Sequence, residues 1–364
     1  MRVKILGAGS IGNHLSHASR SLGWDVDLCD VDAAALERTR SQIYPGRYGK
    51  WDVGIQTFKA SEAPSGGYDL IFIGTPPDAH VQLAMNAIRE LPRAVLVEKP
   101  FCTPELEGAQ PVYELARQEG VAVFTGYDHV VGKASEHFGE IVRGGSLGRI
   151  ETLDVEFREF WGGIFAAHPW LSGPSETYLG FWKRGGGASG EHSHAANLWQ
   201  HFAHVIGAGR VVEVSAMMDL VADGKVDYDK LCVLHLRTES GLIGRVVQDV
   251  VTNPPRKWAR AQGREGYAEW HCAYRPGIDA VLCGSDKGQT EETLFEKTRP
   301  ADFIQELRHI EASLRGNPAA SPISISRGLD TMLVVAAAHK SAREKRAIAI
   351  DYSAGYRLAA LKLA

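Results

Sequence analysis

Arg2-Val3-Lys4-Ile5-Leu6-Gly7-Ala8-Gly9-Ser10-Ile11-Gly12 decides how the chain folds. Five residues of strand character run straight into a Gly-x-Gly-x-x-Gly turn, and a helical pattern continues to about Ser21. In a strand–turn–helix unit of this kind Gly7 makes the turn, Gly9 lets a pyrophosphate approach, and Gly12 lets the helix pack on the strand. The free N–H groups at Ser10 and Ile11, with the positive end of the helix dipole, favour an anion. A second strand, residues 26–29, ends at Asp30, 23 residues after Gly7. An acid at that distance meets the adenosine ribose. Its carboxylate accepts from both ribose hydroxyls and repels a 2′-phosphate, and Val31 follows it rather than Arg or Ser. The expected cofactor is NAD. Arg38 and Arg40, on the next helix, are expected to face solvent.

Outward from this unit, strands and helices alternate. Residues 68–73, 94–97 and 121–125 read as strands, with helices at 81–89 and 110–119. Alternation of this kind makes a parallel doubly wound sheet, whose ligands bind beyond the carboxyl ends of its strands. Asp30, Thr75, Glu98, Lys99 and Asp128 all fall at such ends. After Gly148 the pattern changes. Residues 149–160, 211–217, 231–238, 242–251 and 267–272 read as strands whose connections are too short for crossover helices, so this sheet is expected to be mostly antiparallel. Helices at 301–314 and 327–343 and a strand at 347–351 close the chain. The expected division is a dinucleotide-binding domain over 1–125 and an α+β domain for substrate binding and oligomerisation over 126–364.

Composition narrows the function classes. The formal net charge is −4 and no Lys/Arg run occurs, which argues against nucleic acid as a partner. Cys29, Cys102, Cys232, Cys272 and Cys283 lack metal-ligand spacing and read as reduced thiols of a cytoplasmic protein. No apolar stretch is long enough to span a membrane, and the N-terminus enters a strand without a signal region.

Residues 185–201 read Gly-Gly-Gly-Ala-Ser-Gly-Glu-His-Ser-His-Ala-Ala-Asn-Leu-Trp-Gln-His. At about 3.6 residues per turn, His194, Asn197 and His201 share a stripe, with Glu191 beside it. A carboxylate next to an imidazole behind a glycine turn suits general acid–base work. Taken alone, the same pattern describes a helix start capped by Ser193 or Glu191 with half-buried histidines. His192, His194 and His201 have no convincing ligand spacing, so no metal is expected.

Together these motifs resemble the glucose–fructose oxidoreductase / inositol dehydrogenase (Gfo/Idh/MocA) family over nearly the whole chain. The residues that carry the resemblance are the glycine fingerprint, Thr75-Pro76 with His80, Glu98-Lys99-Pro100, Gly126-Tyr127-Asp128-His129, the glycine run with its acid and histidine, and Gly328-Leu329-Asp330-Thr331 followed by Ala337-Ala338-His339-Lys340-Ser341-Ala342. The resemblance implies a Rossmann domain plus an open-faced antiparallel sheet. It also implies a cis Lys99–Pro100 bond, a homodimer or homotetramer, and NAD(P)-dependent oxidation or reduction of a sugar, inositol or related polyol.

On that reading His194 is the base and Lys99 stabilises the developing alkoxide, with Glu191 and Asn197 orienting the histidine. Gly7, Gly9, Ser10, Ile11, Gly12, Asp30, Thr75, Pro76, His80, Glu98, Lys99 and Asp128 would hold the cofactor. Lys99, Tyr127, His129, Trp182, Lys183, Arg184, His194 and Asn197 would hold the substrate. Three positions depart from the family's pattern, which is Asp, then His four residues on, then Asp three after that. Here Glu191 is followed by His194 three residues on and by Asn197, and His192 is the rival for the histidine. Asp128 stands where Asn is common.

Trp161, Trp170, Tyr178 and Trp182 cluster before the glycine run with His168, Lys183 and Arg184. Most of these aromatics are expected in the core, while Lys183 and Arg184 suit an anionic substituent. Pro254-Pro255-Arg256-Lys257-Trp258 is a second basic-aromatic spot. The leading expectation is an NAD-dependent sugar or polyol dehydrogenase. The alternatives are a glycoside hydrolase that oxidises its sugar transiently, with Asp128 as an extra base, and a dinucleotide sensor, which would need neither Lys99 nor His194.

Overall fold

The N-terminal strands are short, rich in Val, Ile and Leu, and buried on both faces at their centres. Such runs suit a parallel sheet covered by helices. In the computed structural model, which describes residues 1–166, 171–285, 288 and 290–364, they form that sheet. It comprises β1 (Arg2–Leu6), β2 (Asp25–Asp30), β3 (Ile55–Lys59), β4 (Leu70–Ile73), β5 (Ala94–Val97) and β6 (Ala122–Thr125). The order is β3-β2-β1-β4-β5-β6, all parallel, with the switch between β1 and β4. Strand β3 was not evident in the sequence, because an edge strand that is half exposed carries no continuous apolar run. The helices of this part are α1 (Ser10–Ser21), α2 (Ala33–Arg38), α3 (Tyr44–Tyr48), α4 (His80–Arg89) and α5 (Ala109–Glu119). A π-helical turn, Thr39–Ile43, joins α2 to α3.

Two compact units result, and a single cut after residue 125 does not describe them. One contains Met1–Phe101, Gly108–Asp128 and Arg299–Gly328; the other contains Cys102–Glu107, His129–Thr298 and Leu329–Ala364. The return of the chain at 299 is an amphipathic effect. Phe303, Leu307 and Ile310 form a buried stripe on one face of a late helix, Ala301–Ser313, which packs against α1. Thr125 N donates to Ile323 O (2.8 Å), and Phe124 bridges Ser324, so the returning segment also covers the outer edge of β6.

The second unit holds a ten-stranded sheet among the described residues. Its strands are β7 (Ile150–Arg158), β8 (Val211–Ala222), β9 (Asp227–Thr238), β10 (Ile243–Asp249), β11 (Arg256–Gly263), β12 (Tyr267–Arg275), β13 (Ile278–Gly284), β14 (Glu291–Glu296), β15 (Ile348–Ile350) and β16 (Leu361–Leu363). Their order is β14-β13-β12-β11-β7-β10-β9-β8-β15-β16, and only the β7–β10 pair is parallel. The remaining helices are α6 (Lys133–Arg143), α7 (Gly162–Ala166), α8 (Gly187–Glu191), α9 (His194–Val205), α10 (Ala301–Ser313) and α11 (Ile325–Glu344). Among the described residues no helix is long and apolar enough to cross a membrane.

Candidate active site

The glycine fingerprint is built as its spacing requires. Gly7 takes φ +105°, and a Cβ there would lie 2.8 Å from the Gly74 carbonyl oxygen. A Cβ on Gly12 would collide with the Gly7 carbonyl oxygen, so α1 can approach β1 only because that atom is missing. Gly9 differs: a Cβ on it would meet nothing within 4 Å. The open space lies over the amide groups that start α1, where a pyrophosphate fits. Asn13 Nδ2 donates to Gly9 O (2.8 Å), and the Thr39 hydroxyl donates to Ala8 O, which fixes the loop from below. Asp30 Oδ2 accepts from Ala8 N (2.7 Å) and Oδ1 from Asp32 N (2.9 Å), leaving its carboxylate half-buried beside the loop. Loop, helix start and acid together fit a dinucleotide.

Past β4 and β5 the expected residues sort themselves by burial. Thr75 and Lys99 are half-buried and Pro76 is exposed. His80 is fully buried and braces two loops, Nδ1 lying 2.9 Å from Pro100 O and Nε2 2.7 Å from Thr75 O. Burial lowers its pKa. A ring with no accessible surface cannot touch a ligand, so the expected cofactor contact of His80 is replaced by support of Thr75 and of the cis Lys99–Pro100 bond. Tyr127 is corrected likewise: it is 0% exposed, a core side chain after β6 and not a substrate contact. Asp128 beside it is half-buried.

Glu98 lies under this edge, 5% exposed, with Oε2 accepting from Lys99 N (3.3 Å). A Cβ on Gly126 would come within 2.8 Å of its carboxyl group, so the glycine makes the slot that admits it. Burial pushes the Glu98 pKa up to about 8, against the opposing charge of Lys99 and with help from Asp128. Sequence reasoning missed a third acid. Glu306 of α10 is fully buried, and neither carboxyl oxygen has a hydrogen-bond partner among the described residues. Burial first, then the charges of Glu98 and Asp128, raises its pKa well above the carboxylate range. The signal was its place in the stripe Phe303, Glu306, Leu307, Ile310, an acid where the helix faces the core.

In the second unit the glycine run forms α8, and the helix breaks at His192 and Ser193 before α9 starts. Gly187 takes φ +77°, and a Cβ there would strike Asp229 Oδ1. Asp229 accepts from Ser189 N (2.7 Å) and Oγ (3.0 Å), and Ser189 Oγ also lies 3.0 Å from His339 Nε2. Burial pushes the Asp229 pKa up to about 7. This buried network anchors the run.

The break separates the two rival histidines. His192 is buried, and its carbonyl accepts from Gln248 Nε2. His194 is half-buried, edge-on to His129 (4.8 Å, 85°) and nearly parallel to Phe157 (6.0 Å, 18°). Asn197, one turn further along α9, is 3% exposed, and its Nδ2 donates to Thr331 Oγ1 of α11 (3.0 Å). Glu191 is half-buried and accepts from the Tyr178 hydroxyl (3.4 Å).

Trp161 and Tyr178 pack in an apolar cluster with Leu179, Ala188 and Val250, as core aromatics. Trp182 stacks on His339 (4.6 Å) and donates to Asp227 Oδ2 (3.1 Å). Lys183 and Arg184 beside it are exposed. Trp170 and His168 lie outside the described residues. The Arg256–Lys257 spot is neutralised locally, Arg256 by Glu156 (3.4 Å) and Lys257 by Glu159 (2.8 Å), which removes it as an anion site.

Residues 1–127 match a family model described as an oxidoreductase family with an NAD-binding Rossmann fold, and residues 136–269 match that of the GFO/IDH/MocA C-terminal domain. Among curated proteins none matches the sequence. Solved structures share the fold. The WlbA dehydrogenase from Bordetella pertussis, in complex with NADH and UDP-GlcNAcA, is 20% identical with TM-score 0.70, covering 96% of this chain and 98% of that one. A putative myo-inositol dehydrogenase from Sinorhizobium meliloti is 19% identical with TM-score 0.72, covering 96% and 99%. An aldose–aldose oxidoreductase from Caulobacter crescentus, complexed with glycerol, is 17% identical with TM-score 0.74, again covering 96% and 99%.

Proposed function

Because the chain belongs to the GFO/IDH/MocA oxidoreductase family and its N-terminal unit is an NAD-binding Rossmann domain, we propose that it oxidises a secondary hydroxyl of a sugar, sugar acid or inositol-type polyol. Bound NAD supplies the hydride acceptor, and the chain must hold the substrate and manage one proton. Lys99, at the end of β5, donates a hydrogen bond to the reacting hydroxyl oxygen and stabilises negative charge as it develops. His194, at the start of α9, takes the hydroxyl proton on a ring nitrogen. Glu191 and His129 flank that role, and Lys183 with Arg184 extends it to anionic sugars.

The observation that carries the reading is the difference between the two histidines. His192 is buried while His194 is half-buried, and this difference supports His194 as the base. The UDP-GlcNAcA, myo-inositol and aldose in the names of structural neighbours support the substrate class by analogy.

The test is a panel of neutral sugars, sugar acids and inositols with excess NAD, followed at the NADH absorbance band. NADH should form with one class and be lost in Lys99→Ala and His194→Ala proteins that still bind NAD. Release of aglycone from aryl glycosides in excess of the NAD present, without NADH, would replace this reading with redox-neutral cleavage.

A further inference from the structure

The segment between β2 and β3 carries a cation into the cofactor loop. The π-helical turn and α3 bring Arg47 over the first residue of α1. Its Nη1 donates to Ser10 O (3.0 Å) and its Nη2 to Ser10 Oγ (2.8 Å). Nη1 also lies 3.3 Å from His14 Nε2, and His14 Nδ1 lies 2.6 Å from the Tyr48 hydroxyl. Burial, then Arg47 and Arg299, lowers the His14 pKa to about 3, so this imidazole is neutral. Its Nε2 lone pair accepts from Arg47, and its proton sits on Nδ1 facing Tyr48. The His14 ring lies flat on Phe303 (4.8 Å, 8°), which fixes it. Arg47 is therefore held in one place by a serine and an immobile histidine.

That place is electrostatically wrong for an arginine on its own. The N-terminus of a helix carries positive partial charge, which disfavours a cation there. No carboxylate among the described residues pairs with Arg47 to offset it. A second guanidinium, Arg299, stands over the Phe303 ring at 5.7 Å and adds to the positive potential felt by His14 and Arg47. The charge of Arg299, which also reaches Glu98, is felt at Arg47, and Arg47 at the helix start has no acidic partner among the described residues. Such an arrangement is relieved by a polyanion, and the open space over Gly9 is where one fits.

We propose that Arg47 is a pyrophosphate-binding residue of the NAD site, a cation held on Ser10 to close the diphosphate against the amide groups of α1. Arg299 reinforces it through charge at longer range. The guanidinium contributes charge-assisted hydrogen bonds to a group the backbone already cradles.

Titration of NAD and of adenosine into the wild-type protein, Arg47→Ala and Arg47→Gln tests this. Arg47→Ala should weaken NAD about 10- to 100-fold, the range for losing a charged hydrogen bond, and leave adenosine within about twofold. Arg47→Gln can still donate to Ser10 but carries no charge, so it should lose nearly as much NAD affinity as Ala. The wild-type NAD affinity should also fall more steeply with salt than that of either variant. Unchanged NAD affinity in Arg47→Ala, equal losses for NAD and adenosine, or full NAD affinity in Arg47→Gln would each overturn the proposal. Circular dichroism of each variant separates misfolding from a binding defect.

Discussion

Glu98→Gln isolates one buried proton. In the folded chain the Glu98 pKa is raised from 4.5 to about 8, so between those values the folded state holds a proton that the unfolded state has lost. Stability rises with pH only where the unfolded state binds more protons; here it binds fewer, so this group makes stability fall as pH rises. One group in that condition contributes a slope of about 1.4 kcal/mol per pH unit. Between pH 5.5 and 7.5 the wild-type protein should therefore lose about 2 to 3 kcal/mol more than Glu98→Gln, which keeps the shape and cannot ionise. Asp229 and the other groups remote from Glu98 are present in both proteins and cancel to first order. Glu306, whose pKa the Glu98 charge raises, is removed from the comparison by measuring the same pair of proteins in a Glu306→Gln background. Urea denaturation of the two proteins at both pH values measures the difference. Parallel pH profiles would refute the claim that Glu98 is protonated in the folded state, and a wild-type protein that gains on the variant at high pH would reverse its sign.

Two further outcomes follow from the same geometry. Asp30→Ala should weaken NAD by at least about tenfold and narrow its advantage over NADP, because the variant loses both the ribose acceptor and the anchor on Ala8 N; fluorescence titration with both cofactors reads this, and an unchanged ratio of affinities would count against it. Gly187→Ala should destabilise the chain by more than about 2 kcal/mol, since a left-handed backbone and a collision with Asp229 add together; a thermal midpoint equal to the wild type would show that the run can relax.

The cofactor half was legible because its chemistry is local. Gly7, Gly12 and Asp30 are each demanded by backbone approach within one strand–turn–helix unit, so spacing alone located them. The glycine run was harder to read. Its helix breaks at His192 and Ser193, so an unbroken helical wheel does not describe how Glu191 and His192 stand relative to His194. Asn197 finds its partner 134 residues away at Thr331, a contact no local pattern encodes. His80 and Tyr127 carry polar atoms at the right strand ends, yet packing turns both inward. Arg47 left no trace because a π-helical turn, invisible in apolar periodicity, aims it.

The returning segment at residues 299–328 affects how the chain can be made. The strands of the first sheet are all synthesised by residue 125, but the backbone that seals the outer edge of β6 and the ring that lies on His14 come some two hundred residues later. During synthesis the nascent N-terminal unit therefore waits with a bare strand edge, an invitation to pair with another chain. Contacts this distant in sequence also slow folding. A fragment cut after residue 128 would be frozen in that unfinished state, and sheet-edge association should be its fate. A fragment that carries residues 299–328 back on a flexible linker would restore the pairing of Phe124 and Thr125 with residues 323–324 at that edge.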